Sequence, residues 1–164
     1  MALIDVGGAI RAGEDLDTAA IDRWLREHLN DLSAGLPEVT QYSGGASNWT
    51  YRLQYANHDL ILRRPPAGTK AKSAHDMVRE YRVQAALADA YPVVAKMVAL
   101  CQDAEIIGCD FYVMHRIEGI IPRANLPKEL SLSREQVREL CTNTLDQLIA
   151  LHEVDYRAVG LEQL

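Results

Sequence analysis

The sequence has no apolar segment long enough to cross a bilayer and no paired-cysteine motif. Its longest apolar runs, such as 60–62 and 91–95, fall far short of the roughly 20 residues that a spanning helix needs. Cys101, Cys109 and Cys141 form no C-x-x-C pair, which favours reduced thiols over a disulfide framework. No basic segment followed by an apolar one opens the chain, so we expect no secretion signal and a cytoplasmic protein without membrane contact.

Two further absences narrow the function. The five His residues include no H-E-x-x-H motif, so the sequence predicts no metal site. The net charge of −6 argues against a nucleic-acid partner, because neutralising phosphates needs clustered Lys and Arg. The composition, 48% hydrophobic and 24% charged over 164 residues, is typical of one globular domain or one lobe of a larger one.

Helical spacing and capping residues predict three main helices. The first follows Asp17, a good N-cap residue. The second is predicted at 74–90, with Ser73 as its N-cap. The third begins after Ser133, and Gln136 stands at the reciprocal position of a capping box.

Segments rich in β-favouring residues predict the strands. They lie at 39–42, 49–55, 59–64, 97–101 and 111–117. The second and third are separated by a short turn and should form a hairpin. Clustered strands with one helix among them favour an α+β fold, with an antiparallel sheet of about five strands and one packed helix.

A turn of small residues separates the first two strands. Because glycine has no Cβ, backbone N–H groups in such a turn can approach a ligand closely and cradle phosphates. An ordinary β-turn would have the same composition. The candidate residues are Ser43, Gly44, Gly45, Ala46, Ser47 and Asn48.

Three later features complete a possible nucleotide site. Arg63 ends the third strand and could pair with phosphates, although an exposed strand-end charge is the commoner case. Glu80, within the second helix, could hold that cation, or it could be an ordinary solvent-facing acid. The strand at 111–117 runs out to Gly119, and backbone groups freed there could recognise a base edge. A plain edge strand followed by a turn would give the same pattern.

The order of the four features is more informative than any one of them. A glycine-containing hairpin, a strand cation, a helix carboxylate and a strand leading to a hinge follow one another along the chain. A kinase amino-terminal lobe is assembled in this order.

The same segments resemble the aminoglycoside-phosphotransferase/choline-kinase superfamily. The nearest branch is the phosphotransferase-like domain associated with acyl-CoA dehydrogenases. The resemblance runs from about Leu16 to the end of the chain, and 148–152 is similar to the first long helix of the family's second lobe. It implies a kinase-like nucleotide-binding lobe at 1–118, followed at 119–164 by a hinge and the start of a truncated helical lobe. The segments that carry it are 43–48, 60–66, 73–82 and 111–119.

The resemblance also implies roles by position. Residues 43–48 would cover the nucleotide phosphates. Arg63 stands where the family usually has a phosphate-pairing lysine, with Glu80 as its helix partner. Met114 would line the adenine pocket, and the His115 carbonyl and Ile117 N–H would pair with the adenine edge. The implied cofactors are ATP and Mg²⁺, and the implied reaction is transfer of the γ-phosphoryl group to a hydroxyl of a small-molecule acceptor.

Two departures from the family pattern bear on activity. Arginine at position 63 keeps the charge, but it is not a lysine equivalent. Residues 1–164 contain no H-x-D-x-x-x-x-N catalytic loop and no later metal-binding Asp. We therefore expect no catalytic residue and no metal ligand in this chain, and little activity from it alone.

Two rival interpretations stay open at this point. One is a binding or scaffolding module of kinase-like fold without turnover, and the other is an unrelated α+β domain whose turn is only a turn. The last helix, 134–152, carries an apolar stripe that should be covered by the first helix, a further segment or a second copy of the chain. If the 164 residues are the whole protein, self-association through this helix is the preferred expectation.

Overall fold

The computed structural model describes residues 4–43, 48–68, 75–122 and 124–164. The three predicted helices and five predicted strands follow one another in the predicted order, with a short additional helix between the last two strands and a 3₁₀ turn at Lys128–Leu130 before the last helix. Within the described residues, no helix is both long and apolar enough to span a membrane. The elements are α1 (Thr18–Arg26), β1 (Glu38–Gln41), β2 (Trp49–Gln54), β3 (Asp59–Arg64), α2 (Met77–Leu87), β4 (Met97–Cys101), α3 (Ala104–Ile107), β5 (Phe111–His115) and α4 (Arg134–His152).

The five strands form one sheet in the order β1-β2-β3-β5-β4. Every neighbouring pair is antiparallel, which confirms the predicted α+β fold and the antiparallel sheet. β2 and β3 form the predicted hairpin, with Gln54 opposite Asp59 at its closed end. The central strand is therefore β3, which places Arg63 between β2 and β5.

One face of the sheet, here called the outer face, is covered by α1. Alternate side chains of β2, β3 and β5 point to this face because successive residues of a strand face opposite sides. They pack with Ile21, Trp24 and Leu25 of α1 into a single apolar core. Asp17 caps α1 as predicted, with its side chain accepting the Ala20 N–H at 2.9 Å. The strand residues that are fully buried there are Tyr51, Leu53, Leu60, Leu62, Phe111 and Val113.

The opposite, inner face receives α2. This helix packs against β4 and β5, and Tyr81 lies 6.3 Å from the ring of Tyr112 between centroids. Its N-cap is Asp76, whose carboxylate accepts the Arg79 N–H at 2.9 Å. The predicted start at residue 74 was therefore too early, while the proposed cap Ser73 lies outside the described residues.

The last helix, α4, begins with the predicted capping box. Ser133 accepts the Gln136 N–H at 3.2 Å, and the Gln136 side chain accepts the Ser133 N–H at 2.8 Å. Its apolar stripe is exposed, with Leu145 at 60% and Leu148 at 49%. α1 is packed on the sheet instead, so it does not supply the cover. Self-association through α4 stays a prediction.

Candidate functional site

The end of β1 and the start of β2 lie at the same end of the sheet as the strand cation. Thr50 lies opposite Arg63 in the β2–β3 ladder, and the Tyr42 N–H donates to the Thr50 carbonyl at 2.9 Å. Of the predicted turn residues, Ser43 is exposed and Asn48 is buried, whereas Gly44, Gly45, Ala46 and Ser47 lie outside the described residues.

Glu80 of α2 faces Arg63 of β3 on the inner face. The Arg63 Nη2 and Glu80 Oε2 atoms are 3.4 Å apart, which confirms the predicted proximity of this pair. Glu80 also accepts hydrogen bonds from Asn48 Nδ2 at 2.7 Å and from the Tyr112 hydroxyl at 3.0 Å. These residues, together with His75, form what we call the Glu80 cluster.

His75 extends the Glu80 cluster on the side of Asn48. Its Nδ1 lies 2.8 Å from the Asn48 side-chain oxygen, so this nitrogen carries the proton and donates it. His75 holds a left-handed backbone with φ of 60°, a conformation that a non-glycine residue adopts at a cost. Asn48, only 6% exposed, is thus turned into the cluster, although the sequence had assigned it to the phosphate-covering turn.

Burial and charge define the protonation of the cluster. Burial raises the pKa of Tyr112 to about 12, so its hydroxyl stays protonated at neutral pH and donates to Glu80.

The Arg63 Nε is buried and has no hydrogen-bond acceptor among the described residues. An unpaired buried donor is costly, so Arg63 keeps capacity for an additional acceptor while one of its terminal nitrogens faces Glu80.

Sequence reasoning missed Tyr112 and His75. Tyr112 lies directly opposite Arg63 in the β3–β5 ladder, and that pairing joins strands that are separated along the chain by two helices and another strand. No local pattern reveals which strands become neighbours. His75 precedes the N-cap Asp76, and a correct start for α2 would have drawn attention to it.

A pocket of about 580 Å³ opens on the inner face beside the cluster. Met114 and Ile117, both predicted to be site residues, contribute to its wall. His115 does not line it, and the His115 ring instead lies 6.1 Å from that of His58 between centroids. The wall is otherwise formed by Asp5, Tyr42, Thr50, Ile61, Arg116, Gly119, Ile120 and Ile121.

The backbone at the end of β5 changes partner at this pocket. The His115 N–H donates to the Lys96 carbonyl and the Arg116 N–H donates to the Asp59 carbonyl, both at 2.9 Å. Ile117 is the first residue past these ladder bonds and is 65% exposed. Its position fits the hinge that the sequence predicts after the fifth strand.

Arg116 crosses from the end of β5 to β1 and β3. Its side chain is 6% exposed and its guanidinium lies 3.0 Å from Asp59 Oδ2. It also donates to the Tyr42 hydroxyl at 3.1 Å. Arg52 makes two hydrogen bonds to the same Asp59 carboxylate, at 2.7 and 2.8 Å. Sequence reasoning missed this ion-pair network because Asp59 and Arg116 are far apart along the chain.

The Asp59 network should make stability depend on acid pH. The hydrogen bond from Arg52, reinforced by Arg116, holds the pKa of Asp59 below its ordinary value. Its contribution is therefore complete above the unfolded carboxyl pKa, about 4, and is lost as pH falls through the lower folded pKa. We expect Asp59→Asn to lower stability at pH 7 and to flatten the decline below about pH 4, measured by urea denaturation across pH.

The exposed residue Asp89 provides the matched control for this prediction. Asp89→Asn should leave the acid dependence of the wild-type protein intact. If the unfolding free energy of Asp59→Asn fell with decreasing pH as steeply as that of the wild type, the ionised carboxylate would contribute nothing to stability.

Nowhere in 4–43, 48–68, 75–122 and 124–164 do three His, Cys, Asp or Glu side chains converge as a metal site requires. The inner face instead offers a cation in Arg63, the Glu80 carboxylate behind it and an apolar pocket beside it. This arrangement suits an elongated ligand with a flat apolar part and an anionic part.

Comparison with known proteins gives consistent matches. The sequence model of a family described as "phosphotransferase enzyme family" matches residues 38–164. Acyl-CoA dehydrogenase family member 10 of Mus musculus is 37% identical over 144 residues, covering 87% of this chain and 13% of the mouse protein. Acyl-CoA dehydrogenase family member 11 of Gallus gallus is 36% identical over 157 residues, covering 93% of this chain and 20% of that protein.

A solved structure shares the fold. It is that of a candidate aminoglycoside phosphotransferase from Ralstonia eutropha JMP134, with a TM-score of 0.71 and 33% sequence identity. The match covers 90% of this chain and 41% of that one. The chain thus spans a fifth or less of the two curated relatives and less than half of the solved neighbour.

Proposed function

Since the chain belongs to the phosphotransferase enzyme family, we propose that it forms the ATP-binding lobe of a small-molecule kinase. The observation that carries the proposal is the Arg63–Glu80 ion pair, 3.4 Å long, on the same face of the sheet as an apolar pocket. A strand cation held by a helix carboxylate beside the nucleotide is the arrangement that kinases use to position phosphates.

The pocket fits the base of a nucleotide. Its volume of about 580 Å³ lies within the usual range for small-molecule sites. Ile61 and Met114 supply apolar surface from adjacent strands, paired directly in the β3–β5 ladder. A flat aromatic base would lie against these side chains, while the Ile117 N–H beyond the ladder would donate to the base edge.

Arg63 fits the phosphate end. It lies two residues from Ile61 on the same strand and hence on the same face of the sheet. Its buried Nε lacks an acceptor among the described residues, and a phosphate oxygen would satisfy it. The planar guanidinium can bind two phosphate oxygens through two parallel N–H groups of fixed geometry, which a lysine ammonium does not provide. Glu80 would fix the orientation of the guanidinium.

When bound, ATP supplies the γ-phosphoryl group that the intact enzyme would transfer to a hydroxyl of a small molecule. The role of the described residues is binding and orientation, which is a large part of phosphoryl-transfer catalysis. The described residues offer no converging metal ligands, so they do not fit Mg²⁺ on their own, and we assign them no step through the metal. The aminoglycoside in the name of the solved neighbour does not define the acceptor here.

A kinase-fold binding module without turnover is the second candidate function. The arginine at position 63, in place of the family's usual lysine, is the observation that favours it. Such a module would use the same pocket, so nucleotide binding does not separate the two candidates. Phosphate release or transfer by the intact protein, with ATP and a panel of hydroxyl compounds, would support the enzyme.

Replacing Arg63 by alanine tests the nucleotide site. We expect calorimetry to show weak ATP binding to residues 1–164, because the described residues build only one wall and supply no metal site. Arg63→Ala should weaken it by about tenfold, since a hydrogen bond to a charged group is worth about 1.5–3 kcal/mol.

The neighbouring Arg64 is the matched control for Arg63→Ala. As the next residue of the strand, Arg64 faces the opposite side of the sheet from Arg63. Its guanidinium stacks on Trp49, with the Arg64 Cζ 4.7 Å from the ring centroid. Arg64→Ala should therefore leave ATP binding unchanged. Equal affinities for wild type and Arg63→Ala would remove Arg63 from the site, and no binding of any nucleotide would refute the proposed function.

A further inference from the structure

The residues before α1 lie along the free side of β1. The Gly8 N–H donates to the Gln41 carbonyl at 2.8 Å, and the Gln41 N–H donates to the Gly8 carbonyl at 3.0 Å. Residues 4–7, here called the strap, continue from this bridge towards the inner face, where Asp5 contributes to the pocket wall. The strap precedes the part of the chain that the family model matches, 38–164.

Two contacts hold the strap against the sheet. At Gly7 a Cβ atom would clash with Thr40 Oγ1 and would lie 2.7 Å from Thr40 Cβ, so only glycine permits this approach. At the pocket, Arg116 Nη2 donates to the Asp5 carbonyl at 3.4 Å. The same guanidinium contacts Asp59 and Tyr42. One buried cation thus ties the strap to β1 and β3 at the pocket edge.

We propose that the strap is a working wall of the nucleotide pocket, held in place by Arg116 and by the close approach at Gly7. This inference rests on the proposed function, because it takes a nucleotide as the occupant of the pocket. The strap narrows the pocket on the side of β1, where Tyr42 and Asp5 both line it. A displaced strap would leave this side open to water and loosen the bound nucleotide.

Glycine substitutions at neighbouring positions test the proposal. Gly7→Ala should push the strap off β1 and weaken binding of a non-hydrolysable ATP analogue by about five- to tenfold, the scale of losing one binding contact. Gly8→Ala should bind as wild type does, because a Cβ there meets nothing within 4 Å and the two backbone bonds stay. Melting curves of both variants would show that each is folded at the assay temperature.

A rescue variant separates displacement of the strap from general damage. Thr40→Gly removes the two nearest of the three atoms that a Cβ at position 7 would meet, and leaves only the Gln41 backbone nitrogen at 3.2 Å. The Gly7→Ala/Thr40→Gly double variant should therefore bind the analogue as tightly as Thr40→Gly alone. A double variant that stays as weak as Gly7→Ala would overturn the displacement mechanism.

Hydrogen exchange of the wild-type protein gives an independent readout. Saturating analogue should slow amide exchange in a peptide that covers the strap, as well as in β5. One combination of results would overturn this inference and preserve the proposed function. In it, Arg63→Ala weakens binding of the analogue, Gly7→Ala does not, and the analogue does not slow amide exchange in the strap. Absence of nucleotide binding by the wild-type protein would refute both this inference and the proposed function.

Discussion

Glu80→Ala is expected to lower the free energy of unfolding by about 2 kcal/mol and to reduce ATP affinity by up to as much as Arg63→Ala does. The carboxylate accepts from Asn48 and Tyr112 and faces Arg63. Asn48 is only 6% exposed, so in the variant its side-chain amide would be a buried donor without an acceptor. Such an unsatisfied donor costs about 1–3 kcal/mol of stability. Loss of the ion pair with Arg63 costs less stability, because both side chains are about one-third exposed to solvent. Urea denaturation and calorimetry with ATP measure the two effects.

The affinity loss should be large because one carboxylate orients several groups. Without Glu80, the Arg63 side chain would lose the partner that fixes its position. The helix α2 would also lose one of its two hydrogen bonds to the Tyr112 hydroxyl, keeping the one from Gln84 Nε2 at 3.4 Å. Glu80→Gln retains an acceptor for Asn48 but no charge for Arg63, so it should recover most of the stability and less of the affinity.

Arg82, exposed on the same helix, provides the control for Glu80. Arg82→Ala should change stability by no more than about 0.5 kcal/mol, as surface substitutions usually do. A Glu80→Ala variant as stable as Arg82→Ala would mean that the carboxylate does not organise the inner face.

The parts of the fold that the sequence predicted are those set by local chemistry. Asp17 and the Ser133–Gln136 box identified two helix starts, because a side chain that caps a helix contacts an amide only two or three residues away. The helix α3 was missed. Its four residues are flanked by the cap Asp103 and by Gly108 at φ of 81°, but four residues are too few to show periodicity.

The parts that the sequence did not predict depend on long-range pairing. The partnership of Arg63 and Glu80 was inferred from their order along the chain, whereas Tyr112 enters the cluster only because β5 lies beside β3. The Arg116–Asp59 ion pair joins the same two strands. The rival interpretation as an unrelated α+β domain is wrong, because the family model matches 38–164.

The largest stability effect is expected on the outer face, from Phe111→Ala. Phe111 is fully buried, and its ring meets that of Trp24 edge-on with centroids 4.8 Å apart. Truncation removes the ring from a packed core and leaves a cavity, at about 3–5 kcal/mol. This cost includes loss of the aromatic contact between Trp24 of α1 and Phe111 of β5. Urea denaturation monitored by tryptophan fluorescence would give the change in unfolding free energy.

Phe111 is adjacent to Tyr112 but faces the opposite side of the sheet, so the two substitutions should separate stability from binding. Phe111→Ala protein that is still folded should bind ATP with nearly wild-type affinity, because its ring contacts α1 and not the pocket. Leu145→Ala, at a 60% exposed position of α4, is the control and should cost no more than about 0.5 kcal/mol. A loss below about 1 kcal/mol for Phe111→Ala would contradict the cavity argument and the role of α1 as the cover of the outer face.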